Sequence, residues 1–316
     1  MTKANAPTVG VVCGGASAEA EVSRVSGRGV ADALRATYDN VVLLELDASI
    51  ASSLRDKHVD VVFPALHGPP GEDGTFQGFL ETMEIPYVGS NVHASAYAMD
   101  KIVAKHLFRG AGLPVAKDII VDQREDVALA AQRSFTHLGS DVVVKPARQG
   151  SALGVTFAKE SDELIAALEF AFEIDDRVII EQRIKGKEAT VGILDIEQLE
   201  ALPTIEIETP PNEWYDYAHR YTVGMSNHII PANISDDQRQ RAEDIARQAH
   251  FVLGCRDLSR VDFVVPERGD PIVLEVNTLP GMTPTSLYPD AAQAFGLNFE
   301  TLVAKLIERA LTRGHG

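Results

Sequence analysis

The segment Leu258-Ser-Arg-Val-Asp-Phe-Val-Val-Pro-Glu-Arg-Gly-Asp-Pro-Ile-Val-Leu-Glu-Val-Asn277 contains two stretches in which apolar and polar residues alternate. The Pro-Glu-Arg-Gly-Asp-Pro between them consists of residues that favour turns. Side chains of a β-strand alternate between its two faces. The segment therefore predicts two antiparallel strands joined as a β-hairpin.

The polar residues of this hairpin fall on one face. Arg260 shares its face with Asp262, and Glu275 shares its face with Asn277. If the apolar faces of both strands pack together, Asp262, Glu275 and Asn277 converge. Two carboxylates and an amide oxygen suit Mg²⁺ beside nucleotide phosphates, and the Arg260 guanidinium could hold an oxyanion or a phosphate oxygen. Alternation alone leaves open a plain solvent-facing hairpin.

The segment directly after the hairpin, Thr278 to Leu287, contains two prolines and Gly281 and leads into a helical pattern. A loop of this kind can turn backbone N–H groups toward an anion, and the start of the helix adds a positive dipole. Ser286 could bind a carboxylate, although a helix cap is the commoner role of such a serine.

The N-terminal part alternates between strand and helix patterns. Apolar runs at 8–13, 41–46 and 59–66 predict strands, and residues 19–37 show helical spacing. This order predicts a parallel sheet flanked by helices, with its functional edge at the carboxyl ends of the strands. The glycine-rich loops 14–23 and 67–74 follow strands at that edge. They suit a small polar ligand, because no Gly-x-Gly-x-x-Gly follows the first strand and a nicotinamide oxidoreductase is thereby excluded.

The middle of the chain reads as a small α+β unit. Lys145 ends an apolar strand and precedes a glycine loop that includes Ser151. Such a loop presents N–H groups to phosphate, and a lysine can meet phosphate as a point charge. Glu181 ends another strand and Glu188 follows a turn, so either carboxylate could contact an adenine or a ribose. An ordinary glycine loop and solvated glutamates remain open for these segments taken singly.

Composition limits the classes of function. The chain has 316 residues, 45% of them hydrophobic, and a net charge of −17. This charge would repel DNA and RNA. Cys13 and Cys255 lie in apolar stretches and are interpreted as buried thiols. The sequence contains no apolar run long enough for a membrane helix and no pattern of a signal peptide, so a cytoplasmic location is expected.

Taken together, these segments resemble the D-alanine–D-alanine ligase family. The matching motifs occur in family order across nearly the whole chain: Gly-Gly-Ala-Ser-Ala-Glu-Ala-Glu-Val-Ser (14–23), His-Gly-Pro-Pro-Gly-Glu-Asp-Gly-Thr-Phe-Gln-Gly (67–78), Ile-Pro-Tyr-Val-Gly-Ser (85–90), Met-Asp-Lys (99–101), Lys-Pro-Ala-Arg-Gln-Gly-Ser (145–151), Trp-Tyr-Asp-Tyr (214–217), Arg-Val-Asp (260–262) and Glu-Val-Asn-Thr-Leu-Pro-Gly-Met-Thr (275–283).

The resemblance implies an α/β fold with the three-domain ATP-grasp architecture and an α+β ATP-binding part. The expected division is an N-terminal substrate domain (1–101), a central subdomain (102–188) and a C-terminal catalytic domain (189–316). It also implies a cytoplasmic homodimer that makes D-alanyl-D-alanine for peptidoglycan from D-alanine and ATP. Mg²⁺ is the expected metal, with Mn²⁺ as a substitute and a monovalent cation as an additional ion.

The resemblance also assigns roles to residues. ATP would be contacted by Lys101, Lys145, Glu181, Glu188 and Arg220, and Mg²⁺ by Asp262, Glu275 and Asn277. Substrate contacts would come from His67, Ser286 and Leu287. The catalytic group would comprise a hydrogen-bonded triad and an oxyanion hole: Glu19, Ser151, Tyr221, Arg260 and the Gly281 N–H. The segment 215–228 would be a lid that excludes water from an acyl phosphate.

Three positions depart from the family pattern. Arg220 replaces a lysine that reaches the transferred phosphate, Ala152 replaces a serine, and Ala218-His219 replaces Glu-Ala in the lid. Arginine keeps the charge but changes the donor geometry. These departures leave open a relative that makes another dipeptide or a depsipeptide. A non-catalytic ATP-binding regulator is a further alternative, which the complete metal set argues against.

Overall fold

The computed structural model describes residues 6–210, 213–216, 219–220, 222 and 224–314. Its N-terminal part is a three-stranded parallel sheet in the order β2-β1-β3. The strands are β1 (Thr8–Cys13), β2 (Asn40–Glu45) and β3 (Val61–Pro64). Helices α1 (Ala20–Leu34) and α2 (Ile50–Asp56) connect them. The predicted parallel sheet is confirmed, although α2 was not predicted.

Three helices lead from this sheet to the next: α3 (Thr75–Thr82), α4 (Val92–Met99) and α5 (Lys101–Gly110). The side chain of Asp100 caps α5, because its Oδ1 accepts hydrogen bonds from the backbone N–H groups of Ile102 (3.0 Å) and Val103 (3.1 Å). Lys101 therefore stands at the first position of a well-defined helix.

The second sheet is antiparallel and has the order β4-β7-β5-β6. Its strands and the two helices packed on it are β4 (Asp118–Asp122), β5 (Val142–Pro146), β6 (Thr156–Ala158), β7 (Arg177–Gln182), α6 (Val127–Leu138) and α7 (Ser161–Phe172). One core lies between these helices and one face of the sheet. The predicted α+β unit is confirmed.

The third sheet has the order β11-β10-β8-β12-β13, with β9 paired to β8. Its strands are β8 (Lys187–Asp195), β9 (Leu199–Ala201), β10 (Ile205–Glu208), β11 (Asn227–Ile229), β12 (Asp257–Val265) and β13 (Ile272–Asn277). The accompanying helices are α8 (Asp236–Leu253), α9 (Leu287–Ala294) and α10 (Phe299–Arg313). Ser235 caps α8, and Gly254 ends it with a φ of 71°.

The N-terminal sheet is buried on both faces. Val11 of β1 belongs to a core that also contains Leu302 and Leu306 of α10. The next residue, Val12, points to the opposite face and packs with Leu54 and Leu80. Burial on both faces explains why the strands of this sheet read as continuous apolar runs. The first sheet thus shares a core with α10 (Phe299–Arg313), far along the chain.

Cys13 and Cys255 are both free and buried, which confirms the predicted interpretation. Among the helices in the described part of the chain, none is long and apolar enough to cross a bilayer.

Candidate active site

The polar face of the β12–β13 hairpin forms the floor of the site. Arg260 lies opposite Asn277 and Asp262 lies opposite Glu275, with a bulge after Asp262. The opposite face carries Val261 and Val276, which belong to a buried core. The predicted hairpin is confirmed, and its four polar residues lie on one face at adjoining positions.

Asp262 is held by two neighbours. Arg260 donates to both of its oxygens, from Nε and Nη2, at 2.8 Å each. The hydroxyl of Thr190, the residue opposite Asp262 on β8, donates to Oδ1 at 2.6 Å. Burial opposes ionisation of Asp262, but the Arg260 guanidinium outweighs it and holds the pKa of this carboxyl below its usual range. Asp262 is therefore a fixed anion.

Glu275 and Asn277 complete the acidic face. The ammonium of Lys101 lies 3.4 Å from Oε2 of Glu275. Burial disfavours the charge on Glu275, but Lys101 and Arg220 lower its pKa below the usual range. Oδ1 of Asn277 accepts a hydrogen bond from the Leu279 N–H at 3.0 Å. In the described ranges no three His, Cys, Asp or Glu side chains are grouped as a metal site; the set on this hairpin is two carboxylates and one amide.

A narrow cleft opens over one end of this face. It is bounded by α4, α5, the 149–151 loop and the 278–287 loop. Eleven residues predicted for the site line it: Glu19, His67, Lys101, Ser151, Arg220, Arg260, Glu275, Asn277, Gly281, Ser286 and Leu287. Residues from all three parts of the sequence therefore meet in one cleft.

A wide cleft adjoins the narrow one, between the second and third sheets. Six predicted site residues line it, two of which line both clefts: Lys145, Glu181, Glu188, Arg220, Asp262 and Glu275. Phe157 and Trp214 form an apolar wall, their rings perpendicular with centroids 5.3 Å apart. An apolar slot that ends at a cluster of charges fits a flat base carrying phosphates.

Lys145 and Glu181 form part of a buried cluster at the base of the wide cleft. The Lys145 ammonium lies 2.7 Å from one oxygen of Glu181, and the Lys105 ammonium lies 2.7 Å from the other. Lys105 was not predicted. It stands on α5, one helical turn after Lys101, and that spacing is the only sequence signal that could have indicated it.

The glycine loop after β5 reaches the N-terminal part of the chain. The hydroxyl of Ser151 donates a hydrogen bond to Oε1 of Glu19, and the Lys101 ammonium donates to the carbonyl of Gln149. Ser151 and Ala152 both adopt positive φ values, 47° and 59°. Tyr221, the third predicted member of the triad with Glu19 and Ser151, lies outside the described residues.

The loop after β13 brings Gly281 against Ser286. A Cβ at Gly281 would stand 2.8 Å from Oγ of Ser286, so a side chain here would displace that hydroxyl. Ser286 precedes α9, but its side chain does not cap this helix. Its Oγ instead accepts from the N–H of Thr283 at 2.9 Å. The commoner role considered for this serine, a helix cap, is thus wrong, and the hydroxyl faces the narrow cleft.

Glu72 also lines the narrow cleft and was not assigned a role from the sequence. It is buried, and one oxygen accepts from the N–H of Gly68 at 2.5 Å. Burial, together with the nearby charge of Glu19, raises the pKa of Glu72 to about 8. The residue stood in the glycine-rich loop 67–74, but its neutral state depends on burial that a sequence does not reveal.

Two residues that depart from the family pattern, both in the segment predicted to be a lid, lie within the described ranges. The His219 ring is held at Nδ1 by Asp216 (2.6 Å) and at Nε2 by Glu213 (2.7 Å). The hydrogen bond to Asp216 is the larger cause that raises the pKa of His219. The Arg220 guanidinium lies over the Tyr215 ring, 4.7 Å from its centroid, and lines both clefts. In this structure His219 is therefore engaged by two carboxylates that shortly precede it in the sequence.

Two family models match the chain, "D-ala D-ala ligase C-terminus" over residues 107–308 and "D-ala D-ala ligase N-terminus" over residues 47–90. The chain is 42% identical over 307 residues to a D-alanine–D-alanine ligase of Pelotomaculum thermopropionicum, covering 96% of each protein. It is 44% identical to the ligase of that name from Halalkalibacterium halodurans, covering 96% of this chain and 99% of the relative.

Solved structures give the same result. The chain superimposes on a D-alanine–D-alanine ligase from Bacillus anthracis, solved as a complex with ATP, with a TM-score of 0.85 and 34% identity. The match covers 98% of both chains. Neither these relatives nor this structure favours the depsipeptide or regulator alternatives.

Proposed function

Because the chain belongs to the D-alanine–D-alanine ligase family, we propose that it joins two D-alanine molecules into D-alanyl-D-alanine with conversion of ATP to ADP and phosphate. It is a ligase, and its architecture is the ATP-grasp fold with an N-terminal parallel sheet. The observation that carries the proposal is the hairpin register, Arg260 opposite Asn277 and Asp262 opposite Glu275, beneath two adjoining clefts.

The wide cleft would take ATP. Its apolar wall, Phe157 and Trp214, suits a base, and Glu181 and Glu188 lie where they could accept hydrogen bonds from the adenosine part. Lys145 and Lys101 supply cationic groups toward the phosphates, one in each cleft. Burial raises the pKa of Glu188, while Arg220 opposes this shift. Arg220 lines both clefts, where its charge would stabilise the transferred phosphoryl group.

We propose Asp262, Glu275 and Asn277 as the residues that hold Mg²⁺. The chemistry of the donor set supports this, because two ionised carboxylates and an amide oxygen on one face match the hard oxygen ligands that Mg²⁺ prefers. When bound, the ion would neutralise charge on the nucleotide phosphates. The same carboxylates also lie beside the cationic groups of Arg260, Lys101 and Arg220. Mn²⁺ as a substitute and an additional monovalent cation belong to the same proposal.

The narrow cleft would hold both amino acids. Glu19 would bind the ammonium group of the first D-alanine, and His67 would lie on its carboxylate side. Ser286 and Leu287, at the start of α9, would receive the carboxylate of the second. Arg260 and the Gly281 N–H would stabilise the oxyanion formed when the second amine attacks the acyl carbonyl, a contact typically worth about 3–4 kcal/mol.

The chemistry divides into two displacements. The carboxylate of the first D-alanine attacks the γ-phosphorus of ATP, the bond from that phosphorus to the β,γ-bridging oxygen breaks, and D-alanyl phosphate forms as ADP leaves. The amine of the second then attacks the carbonyl carbon, the peptide bond forms and phosphate leaves. The residues of both clefts position these groups and neutralise charge. The segment 215–228, partly outside the described residues, would exclude water as a lid, with Tyr221 joining Glu19 and Ser151.

The wider role is proposed from the same family membership. The product would serve peptidoglycan synthesis in the cytoplasm, and the protein would act as a homodimer with small molecules as its other partners. The three sheets support a division into an N-terminal substrate domain (1–101), a central subdomain (102–188) and a C-terminal catalytic domain (189–316).

The proposal is tested by incubating the purified protein with ATP and Mg²⁺ against a panel of D- and L-amino acids and D-lactate. ADP release is measured, and each product is identified by mass. D-alanine should stimulate ADP release and appear twice in the product. A joined product that lacks D-alanine, or contains D-lactate, would replace this activity with that of a related ligase. ADP release without any joined product would reject ligase activity.

A further inference from the structure

Ser26 links the ring of His67 to the loop that carries Gly281. It lies on α1, is completely buried and was not identified from the sequence. Its Oγ lies 3.2 Å from Nε2 of His67 and accepts a longer hydrogen bond, 3.4 Å, from the N–H of Met282. The hydroxyl therefore sits behind the His67 ring, on the side away from the narrow cleft.

The hydrogen of this hydroxyl has one acceptor. The Met282 N–H can only donate, so it uses a lone pair of Oγ. Within the described ranges, His67 Nε2 is the only acceptor that Ser26 contacts. A buried hydroxyl hydrogen that is left without an acceptor is destabilising, because it has lost its hydrogen bond to water. The Ser26 hydroxyl thus donates to Nε2, and Nε2 carries no proton.

The ring proton is then on Nδ1. Burial lowers the pKa of His67, with Arg260 acting in the same direction and Glu19 opposing both. A neutral imidazole carries a single N–H, and Nε2 is the accepting nitrogen here. Nδ1 makes no hydrogen bond to any residue that the structure describes, while the ring lines the narrow cleft beside Glu19 and Arg260. An N–H at this position donates to a carboxylate, whereas a lone pair would repel one.

We propose that Ser26 is a positioning residue that holds His67 as the Nδ1–H tautomer, so that the ring donates a hydrogen bond to the carboxylate of the first amino acid. The identity of that ligand rests on the function proposed above, but the tautomer does not. Ser26 itself would not touch the substrate.

The direct test is nitrogen NMR of the full chain labelled with ¹⁵N-histidine, with the His67 signals assigned by their loss in His67→Asn. Two-bond couplings to the ring protons distinguish a protonated nitrogen from one with a lone pair. In the wild type at neutral pH we expect Nδ1 to be protonated and Nε2 to be the accepting nitrogen. The opposite pattern in the wild type would overturn the proposal, whether or not any variant folds.

The variant test uses Ser26→Ala. It should move the His67 signals toward the Nε2–H pattern, because the donor to Nε2 is gone. Ser134→Ala is the control: Ser134 is equally buried on a helix, bonded to the Ala130 carbonyl at 2.7 Å and remote from both clefts. It should leave the His67 pattern unchanged. A wild-type pattern that persists in Ser26→Ala would also overturn the proposal.

Kinetics supply the functional arm. Loss of one hydrogen bond of ordinary strength predicts about a three- to tenfold fall in kcat/KM for the first amino acid in Ser26→Ala, with the KM for ATP unchanged. His67→Asn should retain more activity than His67→Gln, because the amide nitrogen of asparagine overlays Nδ1. The reverse order would contradict a donating Nδ1. If the wild type joined no amino acids, the proposed function would fail while the tautomer measurement remained decisive for Ser26.

Discussion

The ammonium of Lys105 lies 2.7 Å from Oε1 of Glu181, and both side chains are almost completely buried. Lys145 contacts the second oxygen at the same distance, so one carboxylate bridges two ammonium groups. Burial opposes ionisation of Glu181, but the two lysines outweigh it and hold its pKa at about 2. Burial lowers the pKa of Lys105 to about 8, against the pull of Glu181, and the lysine remains charged at neutral pH.

Replacing Lys105 with methionine should lower the free energy of unfolding by about 2–4 kcal/mol, since removal of one partner from a buried ion pair leaves the other under-compensated. Glu181 remains paired with Lys145 in this variant, so the loss of stability should not exceed that expected for breaking a buried ion pair. Urea unfolding followed by circular dichroism measures it. Lys305→Met removes an exposed pair with Glu197 and should cost less than about 1 kcal/mol. Equal losses in the two variants would contradict the buried-cluster interpretation.

Glu72→Gln should change how stability depends on pH. The folded pKa of Glu72 is raised to about 8, above the unfolded value near 4.3. The folded state therefore binds more protons than the unfolded state between these pH values, and stability from this group falls as pH rises through that window. Glutamine stays neutral, so the stability of the variant relative to the wild type should increase from pH 5 to pH 8. Glu267→Gln, exposed at the hairpin tip, is the control. A relative stability that stays flat with pH would exclude a neutral Glu72.

Glu275→Gln should reduce turnover by about 100-fold or more while the protein stays folded, because it removes a carboxylate ligand of the proposed Mg²⁺, and even the outer-shell partners of a metal are worth about 10–100-fold. ADP release and the circular dichroism spectrum are measured together. Glu267→Gln lies on the same hairpin outside both clefts and should keep wild-type activity. Near-normal activity of Glu275→Gln would remove Glu275 from the metal set.

Arg220→Lys and Arg220→Met should show whether activity depends on the positive charge of Arg220 or on the shape of its guanidinium group. Lysine keeps the charge near Glu188, Asp262 and Glu275 but loses the stacking on Tyr215. We expect kcat/KM for ATP to fall less than about tenfold for lysine and about 100-fold for methionine. Arg124→Met removes an exposed arginine paired with Asp122 and should have no effect. If methionine were tolerated as well as lysine, Arg220 would have no role in phosphoryl transfer.

Gly186→Ala and Gly110→Ala should shift stability in opposite directions. A Cβ at Gly186 would stand 2.2 Å from the backbone oxygen of Val265, so the strands must separate at a cost of about 1–3 kcal/mol. Gly110 ends α5, and nothing lies within 4 Å of its Cβ position. Alanine there should be neutral or stabilise by up to about 1 kcal/mol. Thermal melting of both variants checks the pair; a melting temperature of Gly186→Ala at or above the wild-type value would refute the packing argument.

A contact could be predicted from the sequence when its residues lie close together along the chain, and not when they lie far apart. The polar face of the hairpin could be predicted because Asp262 and Glu275 belong to two strands joined by a short turn, where alternation alone fixes the faces. Thr190 could not, because its contact with Asp262 depends on the pairing of β8 with β12. Lys105 and Glu181 are likewise far apart in sequence, and the residues around each of them do not predict that they form a pair.

Helix α4 was missed for a different reason. Its sequence, Val-His-Ala-Ser-Ala-Tyr-Ala-Met, carries small residues instead of a clear apolar stripe, and its alanines pack closely beside the third sheet. The helix nevertheless has a good N-terminal cap in the structure, since the side chain of Asn91 accepts a hydrogen bond from the N–H of Ala94. Weak periodicity with a good cap thus marks a helix whose existence depends on tertiary packing.

The core that joins β1 to α10 has a consequence for how the protein is made. Val11 is synthesised long before Leu302 and Leu306, which belong to the same core. We therefore expect one face of the first sheet to stay uncovered until α10 has been synthesised. Nascent chains stalled before residue 299 should be cut by protease within β1 to β3, whereas released full-length chains should resist. Resistance of the stalled chains would mean that the early sheet closes its core without the late helix.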